Sequence, residues 1–547
     1  MTLSKVAAEK HGWSIAAVAL AIVIGMQFPL IWQRSIHWDE FFHYSQLHQL
    51  ANGTLTRPLQ TLHTRMFGWV LDIPGNGIDH TITIRFAMFG FELLAAASIA
   101  GIAVRFTDRV TGLICAAAYI SGGFVFQHGF SFRADPMAAG LLMASLWLLL
   151  SSRMRWPAIF AVGLMLGTSA MITIKIILFA PAFAGVAWLR WKEEGQSLQW
   201  IYRLAGAGLV TVATFALLYF FHSSGLGVNS DAAARTVIST SAEKMFILGI
   251  PPYLIYALKQ VLLAPVLAAV IVIFPGSLLR SSFSLDQRIA LAGLFAPLLT
   301  LFFYHNTAPY YYAFMLPPVV AACSIVIADL RRKFGTWLVA GLFAVTALML
   351  WSKESAEPIR NQRTLMAAAE KMFPQKVAYI DFCAFLGEFP KANNFMTPWG
   401  IELYKAGIVP DIRTLLATKV VPLVMDNDPM FTRLLTTDEP ALEFKPEDAA
   451  AMRATYIHLW GPYWIAGGKF AGGSKADAFE VRVPGPYTVK DSELVIDGKA
   501  YAAGDVVQLD RGKYQVSTIE KDARLVWGDN IKVPDQPAPT ESFWTPF

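Results

Sequence analysis

Apolar residues in this chain collect in runs of about 17–23, the length that crosses a hydrocarbon core of about 30 Å, divided by short basic or aromatic connections. About eleven such runs follow one another, near 13–32, 82–104, 110–127, 136–152, 157–174, 176–190, 204–221, 253–275, 289–304, 311–329 and 336–351, and each predicts a membrane-spanning helix. One set of alternate connections holds Arg105 and Arg109, Arg153 and Arg155, Arg190, Lys192 and Arg203, Arg280 and Arg288, and Arg331, Arg332 and Lys333. Lys and Arg mark the cytoplasmic side, so these connections and the N-terminus are expected inside a plasma (inner) membrane. An odd number of spans then carries everything after Trp351 outside. The first run follows Lys5 and Lys10 but is long and has no small-residue cleavage site, so it reads as a retained span rather than a signal peptide.

The outer connections are unequal. Residues 33–81 and 222–252 form long loops while the inner ones are short, and long loops in a compact membrane protein are commonly functional. In the first, Phe41, Phe42, Tyr44, Leu47 and Leu50 approximate helical spacing, which predicts an amphipathic helix on the membrane surface. Beyond about residue 355, helix-like stretches (Thr364–Met372, Pro446–Arg453) mix with short apolar strands (Val377–Ile380, Val420–Met425, Thr455–Trp460), as in a small α/β unit. From Ala478 the alternation Phe479-Glu480-Val481-Arg482-Val483 and Tyr514-Gln515-Val516-Ser517, broken by Pro-Gly and Asp-Gly turns, predicts a β-sandwich, and the Pro-rich stretch from Val533 an extended arm. The expected domains are 1–352 in the membrane, and 353–475 and 476–547 outside it.

Composition agrees with this picture: 55% of residues are apolar and 16% charged, with a mean hydropathy of +0.44, too oily for a soluble globule. The net charge of +5 follows from loop topology, and no polybasic cluster with interleaved aromatics points to nucleic acid. Cys115 and Cys323 fall in apolar runs and Cys383 stands alone in the tail, so neither a disulfide framework nor a metal knuckle is expected.

Four polar features punctuate the outer face. Ile36-His37-Trp38-Asp39-Glu40 sets two acids just beyond the first span, where they either serve chemistry or solvate a helix end. Phe132-Arg133-Ala134-Asp135-Pro136 fills the tiny turn between the third and fourth spans, and Asp135-Pro136 also has the form of an N-cap followed by Pro. Lys175 interrupts an apolar stretch; a cation there either faces a polar partner or snorkels to the interface. Tyr304-His305-Asn306-Thr307-Ala308-Pro309-Tyr310-Tyr311-Tyr312 is an interfacial aromatic belt or part of a site, and belts rarely include His and Asn.

Together these features resemble the GT-C glycosyltransferase superfamily, and within it the polyprenyl-phosphate-sugar-dependent enzymes related to protein O-mannosyltransferases and lipid A aminoarabinose transferases. Asp39-Glu40 sits where that family keeps an acidic pair in a long first outer loop, and Phe132 to Pro136 is similar to its second-loop element. Gly163-Leu164-Met165-Leu166-Gly167 followed by Thr173-Ile174-Lys175 resembles its Gly-rich span ending in lysine, and Tyr310-Tyr311-Tyr312 ahead of Leu316-Pro317-Pro318 its aromatic outer turn. The match covers roughly residues 13–350; Phe41-Phe42-His43 departs from the common form, which has Arg or Tyr shortly after the first acid.

The resemblance implies a mainly α membrane protein, a GT-C-type bundle of about 11 transmembrane helices with a C-terminal extracytoplasmic α/β plus β-sandwich region. It implies inverting transfer of a sugar from a polyprenyl phosphate to a glycan, lipid or protein acceptor. Asp39 would be the base, with Glu40 the alternative or an acceptor-positioning group. Lys175, then Arg133, with Tyr310, Tyr311 and His305, would hold the donor phosphate, and Asp135, His37 and His43 would contact sugar or acceptor. No metal or other cofactor is expected, although His37 and Asp39 could share a divalent ion. A transporter or flippase would instead show paired broken helices in two halves, an O-antigen ligase would use a diphosphate donor, and a glycan-binding scaffold would not need Asp39. Reporter fusions or cysteine labelling are expected to place Arg332 inside and Cys383 outside; access to Cys383 from the cytoplasmic side alone would reverse this architecture.

Overall fold

A computed structural model describes residues 3–227, 247, 250, 253–437, 439, 442–474, 477–519 and 521–545, with side chains from Lys10 onward. The chain divides into two compact units, one formed by the residues up to Arg34 with Gln49–Ala356, the other by Ser35–His48 with Glu357–Thr545. Most of the second long loop expected over 222–252 lies outside the described residues.

The first unit is helical, and the apolar runs fall mainly on helix. Among the described residues six helices are long and apolar enough to cross a membrane: Lys10–Gln33, Gly77–Phe106, Ala134–Ser151, Ile174–Glu193, Leu198–Ser223 and Leu285–Phe302. Arg109–Ile120, Trp156–Ile172 and Thr336–Trp351 are shorter apolar helices. The chain is thus a multi-pass membrane protein. Two runs expected to be straight are broken: Leu254–Leu263 and Pro265–Arg280 meet at 109°, and Tyr311–Ala322 and Ser324–Phe334 at 59°. Pro265 explains the first, because its ring excludes helical geometry at Ala264, which sits at φ −136°, ψ 61°. Pro317 and Pro318 lie inside the helix Tyr311–Ala322. Pro317 has no N–H for the Ala313 carbonyl four residues back, and the Tyr119 hydroxyl donates to that oxygen at 3.0 Å instead.

Gly163 and Gly167 face the helix Leu198–Ser223. A Cβ at Gly163 would stand 2.5 Å from Val210 Cβ, and one at Gly167 2.6 Å from Thr214 Cβ, so these glycines let two helices approach closely.

The second unit is strand-rich. Strands β1 (Tyr379–Ile380), β2 (Leu423–Met425), β4 (Tyr463–Phe470), β11 (Ala523–Trp527), β6 (Gly485–Lys490) and β9 (Val506–Leu509) lie in that order in one sheet, with β3 (Tyr456–Trp460) also pairing with β4. β1 and β2 are parallel, and the other pairs antiparallel. A second sheet orders β5 (Asp477–Val481), β10 (Gly512–Thr518), β7 (Leu494–Ile496) and β8 (Lys499–Tyr501). Alternate residues of both sheets, among them Val481, Val489, Leu494, Val516 and Leu525, form one buried core, the sandwich that the alternation predicts. The first sheet passes the expected boundary at 475/476, since β11 pairs with β4. The helix-like stretches are the helices Glu357–Met372 and Pro446–Thr455.

The amphipathic helix exists as Trp38–Ala51, and Phe41, Tyr44 and Leu47 are buried. Protein, not lipid, covers this face: Phe41 lies 4.7 Å from the Phe385 ring and 6.0 Å from Trp544, and a Cβ on Gly387 would meet Tyr44 Cδ1 at 2.5 Å. Apolar spacing identifies a face to be covered without naming the cover. Ahead of the helix, the Gln362 amide both accepts from Ile36 N–H and donates to its carbonyl at 2.8 Å. The C-terminal arm folds back onto the unit: Trp460 Nε1 donates to Gln536 O at 2.9 Å, and Ser35 and Thr545 share a hydroxyl bond of 2.7 Å.

Cys383 is fully buried, so labelling for sidedness needs a cysteine at an exposed site such as Lys499. Burial also pushes the Asp426 carboxyl up from 3.8 to about 6, with the Thr432 hydroxyl opposing and Asp428 adding to the shift. Between these values the folded state holds a proton that the unfolded chain has released, so this group's contribution to stability falls as pH rises from 3.8 to about 6 and is constant above. Asp426→Asn is expected to remove that slope from the thermal midpoint measured across pH 4 to 7, about the span between the two values.

Candidate active site

The helix Ala134–Ser151 starts with Arg133 as its extended N-cap residue, which puts Asp135 in the first turn rather than at the cap. The Asp135 carboxylate is 2% exposed and accepts from Lys175 Nζ through Oδ1, while Arg133 Nε stands 3.6 Å from Oδ2. Lys175 reaches it because the helix Trp156–Ile172 ends at Thr173, whose hydroxyl caps the 3₁₀ turn Ile174–Phe179 by accepting from Lys175 N–H at 3.3 Å. At 12% side-chain exposure Lys175 is held by a carboxylate in the protein and does not snorkel.

The tyrosines complete this cluster. The Arg133 guanidinium lies over the Tyr310 ring, 3.2 Å from its centroid, and Lys175 Nζ is 5.8 and 5.9 Å from the Tyr310 and Tyr311 rings. Tyr310 donates to Asn306 Oδ1 at 2.9 Å, and the Tyr311 hydroxyl pairs with Thr300 Oγ1 at 2.7 Å. Tyr310, Tyr311 and Tyr312 are all buried, unlike an interfacial belt. Thus Arg133, Asp135, Lys175, Tyr310 and Tyr311 come together, with Asp135 an ion-pair partner of both cations. His305 packs edge-on against Tyr253 at 6.4 Å.

In the other unit, Asp39 and Glu40 lie in the first turn of the helix Trp38–Ala51, and His37 just precedes it. Glu40 is fully buried and accepts from His37 N–H at 3.0 Å, which spends its carboxylate on the helix start. Asp39 keeps its side chain 16% exposed, with Oδ2 3.6 Å from His37 Nδ1. His43 is half-buried beside Phe42, ring centroids 5.7 Å apart. Among the described residues no group of three or more His, Cys, Asp or Glu side chains is arranged to hold a metal ion.

Sequence reading passed over polar residues inside the helices. Glu92, in the run read as 82–104, accepts from Gln27 Nε2 at 2.9 Å. Arg85 is buried and donates to the Ile31 and Arg34 carbonyls at 3.1 and 2.8 Å. Arg34 and Gln127 both donate to the Glu354 carboxylate. For Arg85 and Glu92, an ionisable residue inside an apolar run was the available signal.

The structure of ArnT from Cupriavidus metallidurans bound to undecaprenyl phosphate is similar to this chain, with a TM-score of 0.54 and 13% identity over 78% of this chain and 94% of that one. Its apo form gives 0.52 and 13% over 79% and 96%. The oligosaccharyltransferase of Archaeoglobus fulgidus, at a TM-score of 0.46 and 12% identity over 81% and 71%, is too loosely similar to carry weight. No protein-family model matches the sequence. No curated protein matches it either. The chain has the GT-C fold, a helical bundle with a C-terminal strand-rich region, as the sequence resemblance implied.

Removing one partner of a buried ion pair costs about 3–5 kcal/mol, but here the losses are unequal. Asp135→Asn leaves two cations without their shared carboxylate, whereas Lys175→Met leaves Asp135 with Arg133. Thermal unfolding of the purified protein is expected to show the larger loss for Asp135→Asn; equal, negligible losses would mean that the three side chains are not coupled.

Proposed function

We propose that this chain is a membrane glycosyltransferase moving a sugar from a polyprenyl-phosphate donor to an extracytoplasmic acceptor, a glycan, a lipid or a protein. The observation that carries the reading is the Arg133–Asp135–Lys175 cluster under Tyr310. Two cations share one carboxylate, so the three carry a net positive charge in a nearly water-free setting, which suits a phosphate. It occurs in a fold that ArnT, with undecaprenyl phosphate bound, also has. Arg133 and Lys175 bind the donor phosphate and Tyr310 orients Arg133 from the side away from the anion.

The acceptor hydroxyl attacks the anomeric carbon, the bond from that carbon to the phosphate oxygen breaks, and the polyprenyl phosphate leaves with the bonding electrons. Asp39 takes the hydroxyl proton, and the anomeric configuration inverts. Asp39 is preferred to Glu40 because its side chain keeps 16% exposure while Glu40 is fully buried and accepts from His37 N–H. His37, beside Asp39, steers that carboxylate, and His43, one turn on, contacts the acceptor.

Protein reconstituted in liposomes is expected to consume undecaprenyl-phosphate sugars and to ignore nucleotide sugars; turnover of a nucleotide sugar alone would overturn the donor class. Asp39→Asn is expected to lower transfer by about 10²–10⁴ with undecaprenyl phosphate still bound, since the amide keeps the size and cannot take the proton. Lys175→Ala is expected to weaken undecaprenyl-phosphate binding as well as rate, because a phosphate contact acts in ground and transition states alike. More than about a tenth of activity in Asp39→Asn would remove Asp39 from the role of base.

A further inference from the structure

The helix start that carries Asp39 is gripped from outside its own segment. Trp38, just before Asp39, meets the Phe382 ring edge-on at 5.9 Å and the Trp544 ring at 6.2 Å. Phe41, two residues after it, meets Phe385 at 4.7 Å and Trp544 at 6.0 Å. Trp544, near the end of the folded-back arm, therefore touches the residues on both sides of the Asp39-Glu40 pair. Its own place is set by an indole N–H bond to Asn427 O at 2.8 Å.

Asn427 belongs to a network that also shapes the loop bearing Phe382 and Phe385. Its amide oxygen accepts from Phe382 N–H at 3.0 Å and its amide nitrogen donates to Asp381 Oδ2 at 3.0 Å. The buried Asp381 carboxylate further accepts from the N–H groups of Ala384 and Phe385 at 2.9 and 2.8 Å and from Lys391. These bonds hold Ala384 at φ +66°, a conformation L-residues rarely adopt. Strain at a non-glycine residue persists where surrounding bonds over-determine it, and such places cluster at functional sites.

We infer that the C-terminal arm, through Trp544, together with the Asp381 loop, is a positioning device for Asp39 in sugar transfer. The inference rests on the reading of Asp39 as base. Trp544 touches no reacting atom in it; two aromatic contacts set the azimuth and depth of the first helical turn, and so the direction in which the Asp39 carboxylate points. A displacement of about 1 Å in a reacting group can cost about 10²-fold in rate, so loosening that turn acts on turnover more than on donor binding.

The test uses the full-length protein in liposomes, the undecaprenyl-phosphate sugar that it turns over, and undecaprenyl phosphate itself as binding probe. Trp544→Ala is expected to lower kcat by about 10²-fold with KM for the donor and undecaprenyl-phosphate affinity unchanged, and to speed amide hydrogen exchange at Trp38 to Phe41. Trp544→Phe, which keeps a ring against both neighbours, is expected to recover most of the rate. If Trp544→Ala does not fold, Phe385→Leu carries the same split between kcat and KM. Wild-type kcat in Trp544→Ala beside an inactive Asp39→Asn would overturn the positioning role and leave the base intact. A fall in donor affinity as large as the fall in rate would also overturn it, as the mark of general damage. An active Asp39→Asn would instead remove the base reading on which this inference stands.

Discussion

A charge taken out of water must bring its counter-charge or enough hydrogen bonds with it, and that constraint shapes the helical unit. Asp135 pairs with Arg133 at the N-cap of its own helix and with Lys175 from the 3₁₀ turn Ile174–Phe179. Glu354 likewise accepts from Arg34 and Gln127, and Arg85 settles on two carbonyls. Backbone obeys the same rule. Where Pro317 frees the Ala313 carbonyl, Tyr119 supplies a donor, and where the chain turns at Gly122–Phe124, the Gln260 amide donates to the Gly122 carbonyl and accepts from Phe124 N–H at 2.9 Å each.

The second unit is built on alternation instead of length. Strands such as β9 and β10 hide one face in the sandwich core and expose the other, while β1 and β2 are buried on both faces. The buried carboxylates of this unit are satisfied by backbone and side chains together: Asp381 accepts from two backbone N–H groups, Lys391 and Asn427, and Asp448 from two backbone N–H groups and the Tyr404 hydroxyl. Such carboxylates shape loops. That is how the Asp381 loop comes to present two phenylalanine rings to the helix that bears Asp39. The two halves of the proposed chemistry are therefore set by different forces, the phosphate site by ion pairing between helices and the base by aromatic packing around a helix start.

What the sequence by itself determined is whatever depends on local period and local chemistry. Runs long enough to span a bilayer became helices, strict alternation became strands of a sandwich, and the helix at Trp38–Ala51 followed from its apolar spacing. The residue types of the Arg133–Asp135–Lys175 cluster were also legible, because an isolated lysine or arginine in an apolar stretch demands a partner. Only the tertiary structure decided who that partner is: Lys175 and Asp135 lie 40 residues apart, and no local pattern encodes an ion pair across that separation. It likewise decided that Glu40 spends its carboxylate at the helix start, that Gly163 and Gly167 serve helix approach, and that protein covers Phe41 and Tyr44. Hydrophobic burial has no direction, so an apolar face states that it will be covered, and only the arrangement of the whole chain settles by what.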